Sequence, residues 1–145
     1  MRKATTLSLL GYALMVCAAL GLMVRHALLA SGVVLAVQFV AVAVIVWARI
    51  TFGLRSFHVA ADPGSGPLVT TGPYRFLRHP IYAAVLYFLV AAAVSHSNPV
   101  NWLLVLAAVA GIAVRVRAEE RLLRLRYPDY AAYMLQTRWL IPFVW

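Results

Sequence analysis

Four long apolar stretches, separated by short polar segments, dominate the pattern of this chain. They cover residues 7–24, 28–47, 81–94 and 102–114. The first two approach the ~20 residues that a helix needs to cross ~30 Å of hydrocarbon, and the last two need flanking residues to complete a span. The pattern predicts an all-α integral membrane protein with four transmembrane helices. We expect one domain over residues 1–145, with a cytoplasmic helical extension of helix four and an interfacial C-terminal tail.

The composition agrees with that class. The chain has 145 residues, of which 64% are hydrophobic and 12% charged, and its mean hydropathy is +0.86. A soluble domain carries about 25% charged residues. Arg2 and Lys3 before the first stretch resemble the start of a signal peptide, but the apolar run is long for one, so we expect a retained helix. Cys17 is the single cysteine of the sequence, so a disulfide framework is not expected.

The distribution of basic residues predicts how the helices cross the membrane. Of the 13 Lys and Arg residues, only Arg25 lies between the first two stretches, and none lies between the third and the fourth. By the positive-inside rule, both termini and the central loop are expected to be cytoplasmic. Topology and attraction to anionic lipid headgroups then account for the net charge of +9, so a nucleic-acid partner is not expected. The predominance of arginine over lysine favours a GC-rich bacterial source and hence the bacterial inner membrane.

The central loop and the fourth stretch carry signals for where helices begin and end. Residues 51–61 are mixed in polarity and predict an interfacial segment, and residues 62–67 predict a turn-rich break. Pro80 suits the first turn of helix three, where a missing N–H costs nothing. No helix breaker occurs between Trp102 and Pro128, so helix four is expected to project into the cytoplasm.

Polar side chains cluster where the third apolar stretch begins. An antiparallel hairpin of helices three and four, with its turn centred near Ser97, brings His79 and Arg115 to similar depth. Arg115 and Glu119 share a helix face because they are four residues apart. Polar clusters at this depth are costly and are usually functional. We expect a pocket at the membrane surface, lined by Tyr74, Arg75, Arg78, His79, Arg115, Glu119 and Glu120.

The chemistry of this pocket suits a zwitterionic ligand. Carboxylates bind an ammonium group, and arginine or histidine binds a carboxylate. A polar cofactor is expected to enter from the cytoplasm, and a lipophilic small-molecule acceptor from the bilayer. The residues by themselves leave the reaction open.

Three segments resemble a known family. They are G-P-Y-R-F-L-R-H-P-I-Y at 72–82, E-E at 119–120, and the tail Y-P-D-Y-A-A-Y-M-L-Q-T-R-W-L-I-P at 127–142. Together they resemble the isoprenylcysteine carboxyl methyltransferase family, whose superfamily includes the phospholipid N-methyltransferases. The resemblance implies a membrane-embedded enzyme that uses S-adenosylmethionine without a Rossmann domain, and no G-x-G-x-x-G motif occurs in the sequence. It implies a two-helix scaffold at 1–50 and a cofactor-binding catalytic half at 66–142.

The resemblance also implies site residues. Arg115, as the acceptor-binding arginine, and Glu119 are the expected catalytic residues; if Glu120 is the true match instead, Arg117 replaces Arg115. No metal site is implied. The residues expected to bind the cofactor are Pro67, Leu68, Val69, Tyr74, Arg78, His79, Pro80, Tyr82, Glu119 and Glu120.

Three questions stay open at this level. The acceptor group is a carboxylate, a thiol or an amine on a lipophilic molecule. Ala83 and Ala84 follow Tyr82 where the family often has a glycine, which supports an alternative: a non-enzymatic membrane protein that uses the same hairpin as a lipid-binding or subunit-contact module. The oligomeric state is also open, since Gly11 and Gly111 permit close helix packing without requiring it.

Overall fold

The computed structural model describes residues 2–53 and 67–140, with side chains from residue 6 onwards. Two short 3-10 helices, Gly32–Val34 and Gly72–Arg75, precede α2 and α3. Apart from one isolated β-bridge between Leu77 and Arg138, the regular structure of the described residues is helical, which confirms the all-α prediction. The helices are α1 Arg2–Val24, α2 Leu35–Phe52, α3 Pro80–Ser95, α4 Pro99–Arg126 and α5 Tyr130–Gln136.

Three of these helices, α1, α2 and α4, are long and apolar enough to cross a membrane. Helix α3 has 16 residues, which span ~24 Å at ~1.5 Å per residue. That length is below the ~30 Å of a hydrocarbon core, so length alone does not establish a fourth span. Helix α4 has 28 residues and continues unbroken to Arg126, as the absence of a breaker before Pro128 predicted.

Helix boundaries follow local chemistry. Pro80 occupies the first position of α3, and Pro99 that of α4, where the Asn98 side chain accepts a hydrogen bond from the Asn101 backbone N–H at 3.1 Å. Helix α2 begins at Leu35, later than the apolar pattern predicted. The reason is that the chain turns before it, with left-handed backbone at His26 and Gly32.

Packing joins helices that are distant in sequence. Helix α1 packs most extensively against α4, and α2 against α3. The core where α1, α3 and α4 meet consists mainly of small residues, which allow close approach. Its buried members include Ala18, Leu22, Leu89, Ala92, Val105 and Ala108.

Polar networks fix the end of the bundle around Arg25. The Arg25 Nε donates to Asn101 Oδ1 at 2.8 Å, and the Asn101 amide donates to the His96 carbonyl at 2.7 Å. Deeper in the bundle, the buried Gln38 amide donates to the carbonyls of Leu28 (2.9 Å) and Phe88 (3.1 Å). Buried polar groups are costly unless hydrogen-bonded, so these partners lock the α1–α2 connection onto α3 and α4.

The C-terminal segment packs onto the protein at the opposite end. The Arg78 N–H donates to the Arg138 carbonyl at 2.8 Å, and the Arg138 N–H donates to the Phe76 carbonyl at 3.1 Å. The Tyr87 hydroxyl donates to the Leu140 carbonyl at 3.0 Å. Residues 130–140 are therefore held against the chain that enters α3. Residues 141–145 of the expected interfacial tail and residues 54–61 of the expected interfacial segment lie outside the described residues.

Candidate functional site

The turn before α3 is fixed by a glycine. Gly72 has φ of 58°, a conformation that side chains other than glycine adopt rarely. A Cβ at this position would also lie 2.5 Å from Thr51 Oγ1 at the end of α2. The turn therefore lies directly on α2, and the Tyr74 ring packs 5.6 Å from the Phe52 ring, centroid to centroid. Tyr74 is buried within this 3-10 turn, Gly72–Arg75.

His79 faces two carboxylates. It occupies the position before the first residue of α3, but its side chain makes no capping hydrogen bond. Its Nδ1 lies 3.8 Å from Glu119 Oε2, and its Nε2 lies 3.4 Å from Glu120 Oε1. The imidazole is buried, and Nε2 makes no well-aligned hydrogen bond to any described residue. The geometry favours an interaction with the carboxylates over a simple helix cap.

Arg78 and Glu120 form a clamp between three parts of the chain. Arg78 Nε lies 3.0 Å from Glu120 Oε1, and both side chains are nearly buried. The Arg78 Nη1 also donates to the carbonyls of Met134 (3.0 Å) and Thr137 (2.5 Å). One guanidinium thus joins the entrance of α3, residues 116–126 of α4 (the α4 extension) and the segment around α5. Most of the side-chain hydrogen bonds of Arg78 therefore hold the segment around α5 in place.

Tyr82, Arg115 and Glu119 converge on one another. The Tyr82 hydroxyl donates to Glu119 Oε1 at 2.5 Å, and Arg115 Nε lies 3.1 Å from the same oxygen. Arg115 Nε also donates to the Tyr82 hydroxyl oxygen. The predicted i, i+4 pair of Arg115 and Glu119 is present. The hairpin register is shifted by about one turn, because Tyr82 rather than His79 lies opposite Arg115.

Helix α1 completes the surroundings of Arg115, a contact that the sequence pattern does not predict. The Arg115 Cζ lies 5.1 Å from the centroid of the Tyr12 ring and 5.7 Å from that of the Tyr82 ring. Its Nη1 donates to the Ser8 carbonyl at 3.4 Å. The sequence does contain one signal for this contact, the pair Gly11 and Gly111, which permits α1 and α4 to pack closely. A sequence alone does not specify which non-adjacent helices pair, so this signal was not sufficient.

The other residues expected at the site differ in how deeply they are buried. Pro80 is buried at the start of α3. Pro67, Leu68 and Val69 form an irregular segment before the Gly72–Arg75 helix, with Pro67 exposed and the other two half-buried. Arg75 is exposed, so it is not drawn into the cluster with the carboxylates.

The structure separates the two arginines that the sequence left as alternatives. Arg115 is 5% exposed and lies beside Glu119. Arg117 is exposed, and its Cζ lies 5.6 Å from the centroid of the Trp139 ring. Val116, between them, is fully buried. Arg115 is therefore the arginine that shares a site with Tyr82 and Glu119.

Burial controls the ionisation of the tyrosines near the turn and α5. It raises the pKa of Tyr74 well above its usual value, and nearby Tyr133 adds to that shift. Burial raises the pKa of Tyr133 to about 12, against a smaller opposing effect of Arg78. These phenols stay neutral at physiological pH, and the Tyr133 hydroxyl donates to the Tyr74 carbonyl at 2.7 Å.

A cavity of about 410 Å³ opens on the α4 extension beside Glu120. Its described lining combines one carboxylate with three guanidinium groups. The lining residues are Arg117, Glu120, Arg121, Arg124 and Leu125. Within residues 2–53 and 67–140, no group of three or more His, Cys, Asp or Glu side chains is arranged to hold a metal ion.

Comparisons with known proteins agree with these features. The model of the isoprenylcysteine carboxyl methyltransferase family matches residues 27–125, which include the 72–82 segment and both glutamates. The cobalt-zinc-cadmium resistance protein CzcN of Cupriavidus metallidurans is 36% identical over 76 residues, which cover 52% of this chain and 35% of CzcN. The chain thus matches about a third of the length of that relative. No solved structure matches. Because the family model covers more than half of the chain, this apolar helical protein is an integral membrane protein that belongs to the isoprenylcysteine carboxyl methyltransferase family.

Proposed function

We propose that the protein is a membrane methyltransferase that transfers the methyl group of S-adenosylmethionine to a carboxylate, thiol or amine of a lipophilic small molecule. The observation that supports this most is the convergence of Tyr82, Arg115 and His79 on the Glu119–Glu120 pair, where the start of α3 meets α4. Family membership supports the reaction class.

The residues present fit the polar end of the cofactor. Paired carboxylates suit its ammonium group, and the buried Nε2 of His79 lacks a well-aligned partner among the described residues. Glu119 is our choice for the ammonium contact. Its side chain is 20% exposed against 11% for Glu120, and its Oε2 is 3.8 Å from His79 Nδ1, beyond hydrogen-bond range. Glu120 is committed to the clamp with Arg78.

Each group of this chain then has a role. When bound, S-adenosylmethionine supplies an electrophilic methyl carbon on its sulfonium. Arg115 binds an anionic acceptor group, and Tyr82 and Glu119 orient that guanidinium through the contacts described above. Methyl transfer to an anion needs no strong base, so positioning accounts for most of the catalysis. Exclusion of water at the buried Arg115 makes the acceptor more nucleophilic.

The same proposal includes a location and an orientation. Nearly all basic residues lie on the side of the site, which supports cytoplasmic termini in a bacterial inner membrane. The acceptor enters laterally from the bilayer, membrane lipids are neighbours of the protein, and no nucleic acid is a partner.

One observation favours a second candidate, a non-enzymatic lipid-binding or subunit-contact module. Both carboxylates are already ion-paired within the chain, Glu119 with Arg115 and Glu120 with Arg78, so the network is internally satisfied. Ala83 and Ala84 are also buried where the family often has a glycine, which narrows the space beside α3.

The two candidates separate in a binding experiment. We expect S-adenosylhomocysteine to bind the purified protein in nanodiscs with micromolar affinity by calorimetry, ~−8 kcal/mol. Glu119→Gln and His79→Ala should abolish this binding, whereas Arg75→Ala, at an exposed position of the same turn, should retain it. Circular dichroism verifies the fold of each variant. Absence of binding by folded wild type in both detergent and nanodiscs supports the non-enzymatic module.

A further inference from the structure

The buried Arg115 side chain makes contacts on two sides, with different parts of the chain. On one side, Nε meets Glu119 and Tyr82, both within the family-matched region. On the other side, the guanidinium faces α1, through the Ser8 carbonyl and the Tyr12 ring. Helix α1 ends at Val24 and so lies outside the match, which begins at residue 27. The family pattern therefore accounts for only half of the environment of Arg115.

The approach of α1 to Arg115 is set by its backbone. Ser8, Gly11 and Tyr12 lie three and four residues apart, so they share one face of α1. A Cβ on Gly11 would lie 3.1 Å from the Arg115 backbone nitrogen and 3.2 Å from its Cβ. This face therefore rests directly on the turn of α4 that carries Arg115, and Tyr12 and Ser8 extend along the side chain.

The residues on this face of α1 are chemically suited to hold the Arg115 guanidinium in one orientation. The Tyr12 and Tyr82 ring centroids both lie within ~6 Å of the guanidinium carbon, the range of a cation–π contact, which strengthens when water is excluded. The Ser8 hydroxyl is fully buried and makes no hydrogen bond to any described residue. Buried hydroxyls are normally paired, so this donor has unused capacity on the α1 side of Arg115.

We propose that Tyr12 and Ser8 of α1 are positioning residues that hold Arg115 for the acceptor, so that α1 determines how tightly this protein binds an anionic lipophilic acceptor. The inference rests on the proposed function, since it assigns Arg115 to the acceptor. It adds two residues of a helix that the family match does not include. Tyr12 acts through its ring face, and Ser8 through its carbonyl and its unpaired hydroxyl.

The test compares Tyr12→Phe, which keeps an aromatic ring, with Tyr12→Leu, which removes it, in the 145-residue chain. The probe is N-acetyl-S-farnesylcysteine, a lipophilic carboxylate whose amine is blocked, and its methyl ester is the uncharged control. In nanodiscs with S-adenosylhomocysteine, Tyr12→Leu should weaken probe binding by about tenfold or more, because the cation–π contact is lost. Tyr12→Phe should restore the affinity to within about threefold of wild type, and Ser8→Ala should give an intermediate loss.

Two readouts separate this role from a general structural one. In each variant, the affinity for S-adenosylhomocysteine should stay within about twofold of wild type. The thermal unfolding midpoint should stay within a few degrees of wild type. Leu10→Ala, on an exposed position of α1, is the matched control. Equal probe binding by Tyr12→Leu and wild type overturns the proposal. So does failure of a wild type that binds S-adenosylhomocysteine to prefer the acid over the ester. Failure of wild type to bind S-adenosylhomocysteine overturns the proposed function instead.

Discussion

Gly11 and Gly111 face each other across the contact between α1 and α4, so closely that a Cβ on either would lie 2.5 Å from the carbonyl oxygen of the other. The obstacle in each case is backbone, which cannot move aside as a flexible side chain can. This contact positions α1 over Arg115.

Substitution of either glycine should therefore push the two helices apart. We expect Gly111→Ala to lower the free energy of unfolding by about 1–3 kcal/mol, the usual cost of overpacking a close contact. Unfolding in a denaturing detergent, followed by circular dichroism, measures this change. Ala110→Val lies next to Gly111 but is exposed, and it should shift the free energy by less than ~0.5 kcal/mol. Equal stability of the two variants would contradict the predicted contact.

Loss of the Arg78 side chain should release the C-terminal segment. Arg78→Ala leaves Glu120 without its nearest cation and removes both bonds to the carbonyls of Met134 and Thr137. Removal of one partner of a buried ion pair costs about 3–5 kcal/mol, and these side chains are nearly buried. Limited proteolysis should show faster cleavage within residues 130–140.

The matched change for that experiment is Arg126→Ala, at the exposed end of α4. It removes one positive charge from the helix that carries Glu120 and should leave the cleavage rate unchanged. A double-mutant cycle of Arg78→Ala and Glu120→Ala measures the coupling directly. If the two changes prove additive, the Arg78–Glu120 ion pair does not contribute to holding the segment.

The sequence predicted the features that depend on residues close together in the chain, such as helix starts and the α3–α4 hairpin. Counting residues outward from the hairpin turn near Ser97 placed the start of α3 at the level of residues 115–120. The structure agrees, except that the register of α3 against α4 differs by about one helical turn. The proline at position 80 predicted the start of α3 because its chemistry is local. The contact of Ser8 and Tyr12 with Arg115 joins residues more than a hundred positions apart, and no local pattern specifies such a pairing. The structural role of Arg78 was missed for the same reason, since its carbonyl partners carry no side-chain signal.

High pH should destabilise the segment around α5. Burial raises the pKa of Tyr133 from 10.0 to about 12 in the folded protein, so the unfolded chain loses this proton first as the pH rises. The stability that depends on the neutral phenol is complete below pH ~10 and is lost progressively between about pH 10 and 12. The free energy of unfolding should therefore fall over this range, and Tyr133→Phe should make the slope shallower. An unchanged slope in that variant would show that other groups cause the loss.

Removal of one hydroxyl at the centre of the site should affect activity more than folding. Tyr82→Phe keeps the ring near Arg115 but removes the donor to Glu119 Oε1 and the acceptor for Arg115 Nε. Hydrogen bonds to charged groups contribute about 1.5–3 kcal/mol, so methyl transfer from radiolabelled S-adenosylmethionine to an accepted lipophilic substrate should slow by about 10- to 100-fold. Tyr87→Phe, in the same helix, loses only its bond to the Leu140 carbonyl and should retain activity within about threefold. Comparable rates for Tyr82→Phe and Tyr87→Phe would mean that the Tyr82 hydroxyl does not orient Arg115 for the reaction.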